Sequence, residues 1–189
     1  MTIPVTSIAP SRIGLVADTH CRKPDGSDLP EAVLHALRGV DLILHLGDMG
    51  DAAVLDRLAS VAPVLATRGG HDPEADPRLV RGARVIVTDR FALGAIFDLK
   101  GIGLAVGEDG VPVLSPGAAV ASTSRAMERP IAVMAFAATH RPYHATHDGV
   151  VFVNPGSATL PAEPGPSGLG TVAVVDLRGA TPRAEIVQL

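Results

Sequence analysis

The chain has 189 residues, enough for one substantial hydrophobic core and short for two. Hydrophobic residues make up 47% but aromatics only 3%, so the core must be built from Ala, Val, Leu and Ile, which suits sheet layers covered by small helices. A net charge of −4 without any run of Lys or Arg argues against stable nucleic-acid binding or an anionic-membrane partner, and a single cysteine, Cys21, excludes an intrachain disulfide.

Met1 to Ser11 carries Pro4 and Pro10 and is expected to be a loose lead-in. It lacks the basic start and apolar stretch of a signal peptide. No apolar run is long enough to cross a bilayer. These features, with the lone cysteine, predict a soluble cytoplasmic protein folded as one domain over residues 1–189.

Arg12 to Ala17 reads as a strand, a nearly continuous apolar run of the kind found when both sheet faces are covered. It runs into Asp18-Thr-His20. Residues two apart in an extended chain point to the same side, so Asp18 and His20 should project together from the strand end. A carboxylate and an imidazole so placed are half of a hard-to-borderline metal site.

After a polar loop, Ser27 or Asp28 offers an N-cap and Pro30 suits the first turn of a helix whose apolar face is Val33, Leu34 and Leu37. Asp41 to Leu46 reads as a second strand, ending in Gly47-Asp48. Asp51 can cap a second helix with Val54, Leu55 and Leu58 on its buried face, and Pro63 to Thr67 is a third strand, ending in Arg68-Gly-Gly-His-Asp72. Polar residues thus collect after each strand, where parallel α/β sheets place their ligands.

Arg84 to Thr88, Phe91 to Leu99 and Ile102 to Val106 look like further strands. Ser115 to Arg129 reads as an Ala-rich helix capped by Ser115, followed by a strand over Ile131 to Phe136. Ala137 to Gly149, with three of the seven histidines, is expected to be a loop. Val150 to Val153 is a short strand ending in Asn154-Pro-Gly-Ser157, and Thr171 to Leu177 with Arg183 to Val187 forms a closing pair.

The order Asp18-Thr-His20, Gly47-Asp48, Arg68-Gly-Gly-His-Asp72, Thr139-His140-Arg-Pro142, Asn154-Pro-Gly-Ser157 resembles the calcineurin-like metallophosphoesterases, in particular their small single-domain phosphodiesterase branch. The resemblance spans Ile13 to Ser157. It implies an α/β fold of two packed mixed β-sheets flanked by helices, with metals at the strand ends. It also implies that Asp18, His20, Asp48 and His140 hold a first metal. The family's second metal shares the bridging Asp48 and takes an Asn and two His of its own. Those positions are Gly70, Val106 and Ala138 here, so all three ligands are missing.

The implied function is a metal-dependent phosphoesterase, a hydrolase acting on a phosphodiester, a small phosphomonoester or a nucleotide through metal-activated water, with one ion rather than two. The expected ion is Mn2+, with Fe, Zn2+ or Ni2+ as alternatives, since mixed carboxylate and imidazole ligands do not choose sharply among them. His71 is placed with Asp48 in the catalytic machinery, either assisting the substrate or swinging in as a ligand. Arg68 and Arg141 flank the site and could bind phosphate oxygens or be ordinary surface charges. Glu108 reads as an exposed turn acid, His144 and His147 as surface residues, and His45 as a packed neighbour orienting Asp48.

The alternative is a catalytically inactive module of the same fold. One form is a scaffold for a protein partner, as in the retromer's phosphoesterase-fold subunit; another is a phosphate or nucleotide binder. A homo-oligomer is compatible with either.

Overall fold

The structure is a computed structural model and describes residues 3–74 and 76–189. Strands β1 (Val5–Ser7) and β2 (Arg12–Val16) precede helix α1 (Glu31–Ala36), and β3 (Leu42–His45) precedes α2 (Ala53–Ala59). Then come β4 (Val64–Thr67), β5 (Leu79–Val80), β6 (Arg84–Val87), β7 (Ala92–Ala95), a 3-10 turn over Leu99–Ile102, and the two-residue strands β8 (Ala105–Val106) and β9 (Pro112–Val113). Helix α3 (Ala118–Met127) leads to β10 (Val133–Ala135), β11 (Pro142–His147), β12 (Val150–Pro155), β13 (Thr171–Asp176) and β14 (Arg183–Gln188).

Two six-stranded mixed sheets result, ordered β14-β13-β2-β3-β4-β5 and β1-β6-β7-β10-β12-β11, with β8-β9 as a separate hairpin. The fold is therefore the α/β pair of packed sheets that the sequence implied. β2 to β5 run parallel, as do β7, β10 and β12, so their carboxyl ends share one edge in each sheet.

Side-chain alternation explains the apolar strand sequences. Ile13, Leu15, Ala17, Leu42, Leu44 and Leu46 face Ile86, Leu93, Val133, Ala135 and Val153 in the layer between the sheets. The opposite face of the first sheet meets α1 and α2 through Val16, Val33, Leu37, Ile43, Val54, Leu55 and Leu58. On the second sheet Met134, Phe136 and Phe152 meet Ala119 and Met127 of α3. Glycine at position 14 is what lets Leu37 close on β2, because a Cβ there would lie 2.6 Å from its Cδ2.

Several expectations are corrected. Val5–Ser7, inside the expected loose lead-in, pairs in parallel with β6 as an edge strand, while Met1 and Thr2 lie outside the described residues. Within the expected loop of Ala137 to Gly149, Pro142 to His147 form β11, paired antiparallel with β12. Pro142 is tolerated because it opens an edge strand. The run Ile102 to Val106 begins as a 3-10 turn and keeps only two strand residues. Helix α3 starts at Ala118, not after Ser115, since Gly117 turns left-handed at φ 75°. Pro30 precedes α1 without a side-chain cap, so neither Ser27 nor Asp28 serves; Asp51 does accept the Ala53 N–H at 2.9 Å.

Candidate metal centre

Four loops meet at the carboxyl edge of the sheets. The loops after β2 and β3 run side by side: the N–H groups of Asp18, His20 and Cys21 donate to the carbonyls of Gly47, Asp48 and Met49 at 3.0, 3.0 and 2.8 Å. Along this seam Asp18, His20 and Asp48 take positive φ angles of 49°, 44° and 52°, and across from them Ala138 and His140 do the same at 71° and 56°. Non-glycine residues held in this region cost about 1–3 kcal/mol each and persist only where surroundings enforce them. Asp18 and His20 therefore converge from a left-handed turn, not from the extended strand end that their spacing predicts.

The ligand atoms form two overlapping groups, Asp18 with His20 and His140, and His20 with Asp48 and His71, each within 4.8 Å. His20 Nε2 lies 3.3 Å from His140 Nε2 and 3.9 Å from Asp48 Oδ2, and His140 Nε2 lies 3.7 Å from Asp18 Oδ1. His140 Nδ1 donates to the Leu160 carbonyl at 2.6 Å, so in the neutral ring the Nε2 lone pair faces inward. Asp18 is fully buried, and its Oδ2 accepts the Ala138 N–H at 3.2 Å. Its Oδ1 has no hydrogen-bond partner. Burial, then the nearby Asp48 carboxylate, push the Asp18 carboxyl up to about 8. A buried carboxylate oxygen facing two imidazole nitrogens with no proton donor of its own fits a divalent cation.

Asp48 is held tightly by its neighbours. Its Oδ1 accepts the His71 N–H at 2.8 Å and its Oδ2 lies 2.7 Å from His71 Nδ1. That bond raises the His71 pKa, whereas burial lowers that of His20. The His71 ring is otherwise open, with 73% of its side chain exposed. Gly69 is obligatory beside Asp48, because a Cβ there would lie 2.2 Å from Asp48 Oδ1.

Two parts of the support were not assigned from sequence. Asp72 is buried, and its carboxylate gathers the N–H groups of Asp48, Met49, Gly50 and Gly69 at 2.9, 2.7, 3.4 and 2.7 Å, tying the loop after β3 to that after β4. The signal available was its place in Gly-Gly-His-Asp72, an acid among loop amides. The second is Thr19. Gly47 N–H donates to His45 Nδ1 at 3.2 Å, so His45 Nε2 carries the proton facing Thr19 Oγ1 at 3.1 Å, and Thr19 donates to the Met49 carbonyl at 3.1 Å. His45 is thus packed, its pKa lowered to about 3 by burial, but it holds the loop backbone and does not touch the Asp48 carboxylate. Beneath the site, Ser157 Oγ donates to the Asp18 carbonyl at 2.6 Å and Asn154 Nδ2 to the Ala137 carbonyl at 3.2 Å, the turn-shaping role expected of Asn154 to Ser157.

The other candidates lie apart. Arg68 pairs with Glu74 at 3.0 Å and Arg141 with Glu163 at 2.7 Å, so both guanidinium groups are engaged by acids. Glu108 is exposed in the β8–β9 turn, and His147 Nε2 meets Tyr143 Oη at 2.6 Å on β11, where His144 is exposed. Cys21 is buried and its thiol is pushed up to about 12, mainly by desolvation. At the three substituted positions, Val106 packs against the outer core of the second sheet, Ala138 offers only its N–H to Asp18, and Gly70 leaves open space beside Asp48. Among the described residues no further ligand-type side chain joins the two groups.

An α/β pair of sheets with candidate Asp and His ligands on loops at the strand ends is the arrangement the metallophosphoesterase resemblance implied. The model of the calcineurin-like phosphoesterase superfamily domain matches residues 12–180, and the chain belongs to that family. A probable metallophosphoesterase of Methanothermobacter thermautotrophicus is 33% identical over 187 residues, covering 93% of this chain and 91% of the relative. The fold is similar to that of Chaetomium thermophilum Vps29, with a TM-score of 0.65, 20% identity and coverage of 94% and 96%. It is also similar to that of an archaeal phosphodiesterase, with a TM-score of 0.62, 16% identity and coverage of 93% and 99%. Family membership makes the chain a metal-dependent phosphoesterase in general character.

Proposed function

We propose that residues 1–189 form one phosphoesterase domain that hydrolyses a phosphodiester or small phosphomonoester with a single divalent cation held by Asp18, His20, Asp48 and His140. The observation carrying this reading is the orphaned Asp18 Oδ1, buried and facing imidazole nitrogens that have no better partner than each other. Such a cation, when bound, polarises a phosphoryl oxygen and acidifies water. Mn2+ is the first choice, with Fe, Zn2+ and Ni2+ compatible with the same donors.

The chain's own groups would do the rest. Asp48 orients the His71 ring through Nδ1, which leaves Nε2 directed outward. The Asp48 hydrogen bond raises the His71 pKa and so favours its protonated form, from which Nε2 would deliver a proton to the leaving oxygen. The free, buried Cys21 thiol supports a reducing compartment, the cytoplasm.

Metal-stripped protein titrated with Mn2+, Ni2+ or Zn2+ should hydrolyse bis(4-nitrophenyl) phosphate or 4-nitrophenyl phosphate. Asp48→Asn should abolish turnover, and His71→Ala should lower kcat by about 100-fold or more. Turnover unchanged in Asp48→Asn would refute the reading. The second reading, a non-catalytic module engaging a protein partner, rests on the apolar or absent side chains at Gly70, Val106 and Ala138. It requires no turnover with any of these metals and a complex that survives Asp18→Asn.

A further inference from the structure

A cleft of about 230 Å³ opens beside the metal centre, bounded by His20, Arg22, Asp28, Thr159 and Leu160 among others. A larger hollow of about 320 Å³ lies beyond Arg141, Glu163 and Gln188 and contains none of the four candidate ligands. The smaller cleft is the one that shares a residue with the centre, His20.

Charge is the reason to look there. With Asp18 and Asp48 as carboxylates, one divalent ion is formally neutralised, and the Asp72 carboxylate adds a further negative charge behind it. A phosphate group entering such a site needs positive charge from elsewhere. Arg68 and Arg141 are committed to Glu74 and Glu163. Arg22 is the one Lys or Arg lining the cleft. It is exposed, and among the described residues its guanidinium has neither an ion-pair nor a hydrogen-bond partner. Its backbone is fixed all the same: the Arg22 and Lys23 N–H groups donate to Asp28 Oδ2 at 2.7 and 3.2 Å.

We propose that Arg22 is the phosphate-binding residue of this cleft, donating to nonbridging oxygens of the phosphoryl group and supplying the positive charge that a second metal would otherwise give. A guanidinium suits this because its planar fork pairs with two phosphate oxygens at once. The inference rests on the proposed hydrolase reading for its kinetic arm and on direct anion binding for its other arm.

The test compares wild type, Arg22→Gln, Arg22→Lys and Arg68→Gln. With Mn2+ and bis(4-nitrophenyl) phosphate, Arg22→Gln should raise KM by about tenfold or more, a loss typical of one charge-assisted contact, with kcat changed less than KM. Arg22→Lys should recover part of the loss and Arg68→Gln should match wild type. KM unchanged in Arg22→Gln while wild type turns over would overturn the role of Arg22 and leave the hydrolase reading standing. If wild type turns over with none of the metals, the hydrolase reading fails and a second measurement decides. In 15N-labelled, Zn2+-loaded protein titrated with inorganic phosphate, a saturable shift of the Arg22 Nε–Hε signal upholds anion binding by Arg22, and a signal that stays in place overturns it.

Discussion

Replacing Asp72 with alanine tests how the metal cradle is held. Four backbone N–H groups converge on that carboxylate, three of them at 2.7–2.9 Å and one at 3.4 Å. Hydrogen bonds to a charged acceptor contribute about 1.5–3 kcal/mol each. The three short ones would total about 4.5–9 kcal/mol, but water entering the space left by the side chain should satisfy part of the stranded donors. The expected net loss is about 3–5 kcal/mol. In a chain of this length each kcal/mol moves Tm by about 2–4 °C, so Tm should fall by about 6–20 °C. With no tryptophan present, urea unfolding of metal-free protein is best followed by far-UV circular dichroism. Asp72→Asn, which keeps one acceptor oxygen, should lose about half as much. A midpoint for Asp72→Ala equivalent to a change within about 0.5 kcal/mol of wild type would refute the clamp.

Two neighbouring glycines should behave oppositely. Gly69→Ala drives a Cβ into Asp48 and should cost both stability and metal affinity, whereas Gly70→Ala meets nothing closer than 3.9 Å and should leave both unchanged; calorimetric metal titration of the two variants checks this. Stability of the metal-free protein should also depend on pH in a defined way. Asp18, raised to about 8 from 3.8, stabilises the fold fully below pH about 3.8, a contribution lost as pH rises to about 8. His45, lowered to about 3 from 6.5, stabilises it above pH about 6.5 and less as pH falls toward 3. The slopes of these two groups offset one another between about pH 4 and 6.5, and from pH 6.5 to 8 Asp18 alone of the two contributes a decline of about 1.4 kcal/mol per pH unit. Urea midpoints across that range should show a steeper decline in wild type than in Asp18→Asn, where the raised His71 still contributes; an equal decline in Asp18→Asn would count against the assignment.

The first half of the fold was legible because its strands are apolar on both faces. Ile13 to Val16 and Leu42 to Leu44 must be covered on both sides, and each run stops at polar residues where the parallel sheet ends. The edge strands were not legible. Pro142-Tyr-His-Ala-Thr-His147 alternates exposed and half-buried residues, so it carries little apolar signal, and its pairing with Val150 to Pro155 is decided by the tertiary partner. Val5 to Ser7 is short and exposed on the same grounds. At the site, motif order named residues that the structure places in two groups sharing His20, Asp18 with His140 and Asp48 with His71, so the expected set of Asp18, His20, Asp48 and His140 does not stand as one cluster. It could not show that five of the site's residues sit at positive φ, which follows from loops sutured to one another by backbone hydrogen bonds. Nor could it show Asp72 as their clamp, or that acids already occupy Arg68 and Arg141.

A single divalent cation on the Asp18, His20, Asp48 and His140 side chains is what the proposed hydrolysis requires. Crystals grown with Mn2+, with anomalous scattering recorded at the manganese edge, test it directly. One strong peak is expected among Asp18 Oδ1, His20 Nε2 and His140 Nε2, with Asp48 drawn in from the neighbouring group to complete it, and no comparable peak toward Gly70. Two peaks of equal strength flanking Asp48, or none at these four residues, would contradict it.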